Sequence, residues 1–332
     1  MECKDLRTIL TPIPKDFDVP FLRGGSRGYH YTAIEKLESI VKSRQLWFSS
    51  LADVNDRAEI EDGAAGFADF ALRIPKKGIR DSAWWQNLVR ETTESGLQEY
   101  FVFCLTTDED SWPMWELYAG NTEGCCIGFN YSDLIYSLLD RNFETLKGAS
   151  ISYGFAVYDR KDKVRIFKTY VKDCGKAIES GLSKFFQAEK AGAKGKPISL
   201  AMMLEAFCYS EDQEAGNRCF SKSFPDFAFF KNRTFRYEKE LRIAIRIPKE
   251  RQSELENQGR IRTNGGRRFL CLDFDLKRSI RRICSAPGAS EFQRNLISSI
   301  RDSSPCLGRV EIRSSASTIR LDTVRPHGGN HS

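Results

Sequence analysis

The stretch YEKELRIAIRI (237–247) places two carboxylates two positions apart, next to two arginines. Strand alternation puts Glu238, Glu240, Arg242 and Arg246 on one face. Leu241, Ile243, Ile245 and Ile247 take the other face with Tyr237, and Lys239 interrupts the apolar side near its start. Two carboxylates projecting into one space can stabilise a positive charge or move a proton. The same pattern also suits a half-exposed strand whose charges pair with one another.

A second candidate is His30, in GYHYT (28–32). The other two histidines, His327 and His331, lie in a tail expected to be disordered. With no second histidine in the body, the roles left are a structural hydrogen bond or the orientation of a polar ligand. In a regular strand Tyr31 points away from His30. Asn55, Asp56 and Glu59 form NDxxE. They read either as a polar cluster lining a cleft, in contact with a ribose or an acceptor, or as an Asx turn capping the next helix. Adding Asp53 makes a divalent-metal set conceivable. In MWELY, Trp115 and Tyr118 are three apart and share a helix face, with core packing the simpler role for Trp115. The sequence has no GxGxxG or GxxxxGKS loop and no GxSxG, which removes the Rossmann, P-loop and serine-hydrolase classes.

The elements that must hold these residues are mixed. The pattern predicts strands at 28–32, 46–50, 100–106, 124–130, 151–158, 237–247, 269–274, 280–286 and 309–315. It predicts helices over 34–45, 57–74, 81–98, 111–119, 131–140, 162–190, 197–214 and 290–302. Ile34, Leu37, Ile40 and Val41 share one face of the first. Strands and helices without regular βαβ alternation predict an α+β fold. The expected organisation is an extension over 1–27, one domain over 28–322 with a helical insertion at about 162–230, and a tail over 323–332.

Composition narrows the class. The 332 residues are 41% hydrophobic and 29% charged, as in soluble globular chains. No apolar run approaches the roughly 20 residues of a membrane helix. The N-terminus lacks an apolar signal core, so a cytoplasmic protein is expected. The ten cysteines show no CxxC and no zinc spacing. Cys104, Cys125, Cys126, Cys208, Cys271 and Cys284 sit in apolar stretches and are expected to be reduced, mostly buried thiols. The net charge of +6 is uneven: residues 1–217 carry 27 Lys/Arg against 33 Asp/Glu, and residues 218–332 carry 24 against 12. The basic half suggests an anionic partner, or simply a solvated surface.

Five motifs together resemble a bacterial family, the domain of unknown function numbered 2971. They are YHYT (29–32), LWFSSLADVNDRAE (46–59), MWELYAGNTEGCCIGF (114–129), KNRTFRYEKELR (231–242) and IRRICSAPGAS (280–290). The resemblance spans roughly 28–320. A more distant one is to ADP-ribosyltransferases, on the opening strand with His-Tyr and on Glu238-Lys239-Glu240 as a Glu-x-Glu strand. That resemblance implies a mixed or antiparallel sheet core of ADP-ribosyltransferase type, with NAD as substrate and no metal. It implies that Glu240 binds the nicotinamide ribose and stabilises an oxocarbenium-like cation, as in glycoside hydrolysis. Glu238 would orient or deprotonate the acceptor. His30 would bind the adenosine ribose, Tyr31 would shape the pocket, and Ser49, Ser50 or Tyr118 would fill the middle motif. Asn55 and Arg242 complete the expected cofactor-binding set.

Two functions are therefore carried forward. One is an NAD-dependent ADP-ribosyltransferase or NAD glycohydrolase, an effector of phage defence in one setting, with DNA, RNA, protein or a small molecule as acceptor. The alternative is a non-catalytic nucleic-acid-binding or partner-sensing module using the basic C-terminal half. A metal nuclease built on Asp53, Asp56 and Glu59 ranks below both.

Overall fold

The computed structural model describes residues 10–12, 27–53, 99–120, 123–159, 161–163 and 226–317. The expected helices over 57–74, 81–98, 162–190 and 197–214 lie outside the described residues, as do Asn55, Asp56, Glu59 and the tail. The class is α+β, with a mixed and mostly antiparallel sheet. The chain divides into two compact units: 1–20, 46–104 and 139–273 in one, 21–45, 105–138 and 274–332 in the other.

The first unit contains β1 (Leu10–Pro12), β3 (Gln45–Ser50), β4 (Tyr100–Thr106), β6 (Ser150–Phe155), β7 (Glu240–Arg246), β8 (Ile261–Asn264) and β9 (Arg267–Asp273). Their order is β1-β6-β7-β4, with β3 pairing both β4 and β9, and β9 pairing β8. β1 runs parallel to β6, whereas β6/β7, β3/β4 and β8/β9 are antiparallel. Alternating apolar residues explain the strands. On β7, Leu241, Ile243 and Ile245 are fully buried. On β3, Leu46 and Phe48 are buried, and Phe48 packs on Phe103 at 5.4 Å.

The second unit is a sheet in the order β2 (Arg27–Thr32), β5 (Cys125–Asn130), β10 (Ile280–Ser285) and β11 (Glu311–Ser314). Helix α1 (Ile34–Ser43) follows β2 and buries Ile34, Leu37 and Val41. It stops at Arg44, which is left-handed (φ 55°) and donates its amide to Ile40. α2 (Trp112–Tyr118) begins after Ser111 with Pro113 in its first turn, where the missing N–H costs nothing. α3 (Glu291–Asp302) opens with a capping box between Ser290 and Gln293. Gly124, just before β5, tolerates no side chain, because a Cβ there would strike the carbonyl oxygen of Thr32.

Tyr29, Tyr31, Met114, Trp115, Cys126 and Cys284 share one core cluster in this unit. Asp110 ties the segment 315–317 to it. Its carboxylate accepts from the Trp115 Nε1 (2.7 Å), the Ser317 hydroxyl (2.9 Å) and the Ala316 and Ser317 amides (2.8 and 3.0 Å). Burial pushes the Asp110 pKa up, but the bonds from Ser315, Trp115, Ser317 and Ala316 outweigh it and hold the group below its ordinary value. Asp110→Ala is therefore expected to lose about 2 kcal/mol, a cautious figure for a half-exposed carboxylate with several charge-assisted bonds. Its folded pKa is depressed, so the wild-type advantage is present above pH ~4 and fades as pH falls below it. Urea melts at pH 7 and pH 3 would show this; an equal gap at both would discard the ionic account.

Candidate functional site

Glu238 does not lie on the strand with Glu240, and the expected alternation is corrected here. Asn232 caps a 3₁₀ turn over Arg233–Glu238 by accepting the Thr234 amide at 3.0 Å. Lys239 ends that turn in the left-handed region (φ 43°), and β7 begins at Glu240. Tyr237 is accordingly exposed rather than on the buried face.

The two carboxylates nevertheless converge, because both take the Lys231 ammonium. Lys231 Nζ bonds Glu240 Oε2 at 2.7 Å and also donates to Glu238 Oε2. Arg242 donates from Nε and Nη2 to the two oxygens of Glu240 (2.7 and 3.1 Å) and from Nη1 to the Ala228 carbonyl (2.6 Å). The Tyr158 hydroxyl accepts the Glu240 amide at 2.9 Å. Lys231, Glu238, Glu240 and Arg242 are each at most 6% exposed. The expected half-exposed strand is thus a buried cluster with two charges of each sign.

The electrostatics follow. Burial pushes the Glu240 carboxyl up, but Arg242 and then Lys231 outweigh it and bring its pKa down to about 2. Burial pushes Lys231 down, and Glu240 with Glu238 more than restores it, above its ordinary value. Glu240 is an ionised carboxylate fixed at both oxygens. Arg246, at the far end of β7, instead pairs with Glu99 at 2.7 Å.

Cys104 on β4 adjoins this cluster. Its thiol hydrogen-bonds Glu240. Burial, then Glu240, pushes the thiol pKa up, and the residue presents accessible surface. The expectation of a buried thiol is corrected; Cys125, Cys126, Cys271 and Cys284 are buried as expected. Alternation carries the same sheet face from Cys104 to Val102, and Ser49 pairs with Val102. Ser49 therefore shares that face, whereas Ser50 is buried on the opposite one.

The remaining candidates separate. His30 is half-buried on β2 beside Ile127 and has a bonding partner of its own. Tyr31 is a core residue: its ring meets Trp115 edge-on at 4.6 Å. Its hydroxyl donates to the Asp108 carbonyl and accepts the Ser111 amide, both at 2.9 Å. That engagement is at odds with the expected pocket role. Trp115 is fully buried but Tyr118 is exposed, so the two do not share a buried face. Asp53 accepts the Arg268 amide at 2.9 Å, a structural use of the carboxylate proposed for metal. Lys231, Tyr158 and Cys104 were not singled out from the sequence. Lys231 opens the KNRTFRYEKELR motif, and its adjoining Asn232 is the turn signal that brings it back onto the carboxylates.

Residues 114–243 match the family described as protein of unknown function (DUF2971). This bears out the resemblance across MWELYAGNTEGCCIGF and KNRTFRYEKELR; the matched span contains the whole charge cluster except Cys104. No curated protein and no solved structure matches the chain.

Lys231→Met should cost about 3–5 kcal/mol, since it leaves two buried carboxylates against one arginine. In the wild type, Glu240 contributes stability above pH ~4.5 that is lost as pH falls toward 2. In Lys231→Met the Glu240 carboxyl loses one of the two cations that hold its pKa down, so the variant's deficit should widen from pH 5 to pH 8. Chemical melts at both pH values measure this; a deficit independent of pH would show that Lys231 does not neutralise the pair.

Proposed function

We propose that the chain cleaves the nicotinamide–ribose bond of NAD and passes the ADP-ribosyl group to an acceptor or to water. The observation that carries this reading is the ionised Glu240, fixed by Arg242 and hydrogen-bonded by the solvent-accessible Cys104. As the C1′–N bond breaks, its electron pair leaves with nicotinamide and positive charge develops on the ribose. A rigid carboxylate in a low-dielectric site stabilises that charge without reorganising. Acceptor oxygen or nitrogen then bonds C1′ and gives up its proton, for which Glu238 is the adjacent carboxylate. Ser49, on the same sheet face, is the preferred middle-motif residue over Ser50 and Tyr118. The part given to His30 rests on the resemblance alone. The Cys104 thiol stays protonated and is not the nucleophile.

A second reading is favoured by one observation: every charge in the cluster has a partner, as in a purely structural network. On that reading the chain is a binding module.

The discriminating assay follows nicotinamide release and label transfer from NAD, alone and with DNA, RNA or lysate. Glu240→Gln should lower turnover by about 10²–10³-fold, with NAD affinity within a few-fold of wild type and an unchanged circular dichroism spectrum. Glu240→Asp serves if the amide variant fails to fold. No NAD consumption and no NAD binding by wild type in any arm would leave the binding module.

A further inference from the structure

The hairpin β8–β9 and its neighbour β3 carry a surface that the NAD reading does not use. The turn is Gly265-Gly266, both at positive φ (58° and 77°), which lets the two strands join tightly. Register pairs Arg262 with Phe269 and Asn264 with Arg267. Ile261 and Leu270 are buried on the inner face. Alternation turns Arg262, Asn264, Arg267 and Phe269 outward together.

Trp47 of β3 joins that outer face. Its ring lies 5.4 Å from Phe269 at 47° and is 38% exposed, although its neighbours Leu46 and Phe48 are fully buried. Arg262 and Arg267 are exposed. Arg260, at the start of the hairpin, is bonded to Asp273 at 2.7 Å. Among the described residues the face combines two adjoining aromatic rings with Arg262, whose Nε donates to the Gly259 carbonyl at 2.8 Å, Arg267, and Arg260 paired to Asp273.

We infer that this face binds single-stranded nucleic acid. A free base stacks on Trp47 beside Phe269, and the flanking phosphates take Arg262 and Arg267. Stacking accounts for the exposed indole, and the exposed Arg262 and Arg267 supply charge complementarity to a phosphate chain. A duplex is a poor occupant, because its base faces are already stacked on one another. The inference is independent of the NAD reading: no residue of the Glu240 cluster takes part, and binding is read without NAD.

The test measures fluorescence anisotropy of labelled oligo-dT and oligo-rU of about 15 residues and a duplex of equal length, at 50 and 200 mM salt. The full chain should bind at least one single strand more tightly than the duplex, and the two single-strand arms tell DNA from RNA. Trp47→Ala should weaken this binding about fivefold or more, while Trp47→Phe keeps most of it. Trp47→Leu, which retains the apolar contact with Phe269, replaces alanine if that variant melts early. The double change Arg262→Ala/Arg267→Ala should weaken binding and flatten its salt dependence by a slope of about 1.4. Failure to bind either single strand at 50 mM salt, equal or tighter duplex binding, or unchanged affinity in the folded Trp47 variants would each overturn the inference.

Discussion

The Lys231 ammonium is the charge around which the first unit's central chemistry is arranged. Glu238 and Glu240 are at most 4% exposed, and two ionised carboxylates cannot share so dry a space without a cation between them. Holding that cation fixes backbone as well as side chains. It joins residue 231 to the end of the 3₁₀ turn at 238 and to the first residue of β7. Arg242 adds a tie to the Ala228 carbonyl, which binds the segment before Lys231 to the same carboxylate. The left-handed Lys239 is the conformational cost of this arrangement. A β-branched residue there would resist the turn that delivers Glu238 to the ammonium.

The second unit solves a different problem with similar residue types. Tyr31, Asp110 and Trp115 all carry polar groups, and all are consumed in holding the core cluster and the segment 315–317. An arrangement with hydroxyl and carboxylate satisfied by backbone amides is a structural device. The Arg282 guanidinium repeats the pattern, bridging Glu109 and Glu311. Polar residue type alone therefore does not distinguish a site from a clamp. Backbone groups hold Tyr31, two carboxylates hold Arg282, and two cations hold Glu240.

In the sequence, LWFSS is read correctly because Leu46 and Phe48 are buried where alternation puts them, and YFVFCLT and GCCIGFN because their continuous apolar runs are buried on both faces. The capping box of Ser290 is equally local. The pairing of Glu238 with Glu240 was read from strand alternation, which is the wrong cause, since Glu238 lies in a turn. Alternation assumes extended backbone, and the left-handed Lys239 breaks that assumption with no glycine to mark it. Lys231 escaped notice because its contact to Glu240 spans nine residues and depends on that same turn. Cys104 escaped because an apolar strand predicts burial, whereas its accessible surface depends on what packs above the strand.

On the proposed reading, the paired cluster is the resting state of the site. A carboxylate pair awaiting a cationic ligand in a low-dielectric site would be unstable if left empty, and Lys231 holds that place. The nicotinamide ring of NAD is itself cationic, so its entry beside Glu240 exchanges one positive charge for another instead of burying a new one. The flexible four-carbon stem of lysine suits such a yielding role, and the bidentate Arg242 suits the fixed one. Were Arg242 the displaced partner, Glu240 would lose both its orientation and its ionised state together. On that reading Arg242 orients Glu240, and Lys231 balances its charge together with that of Glu238.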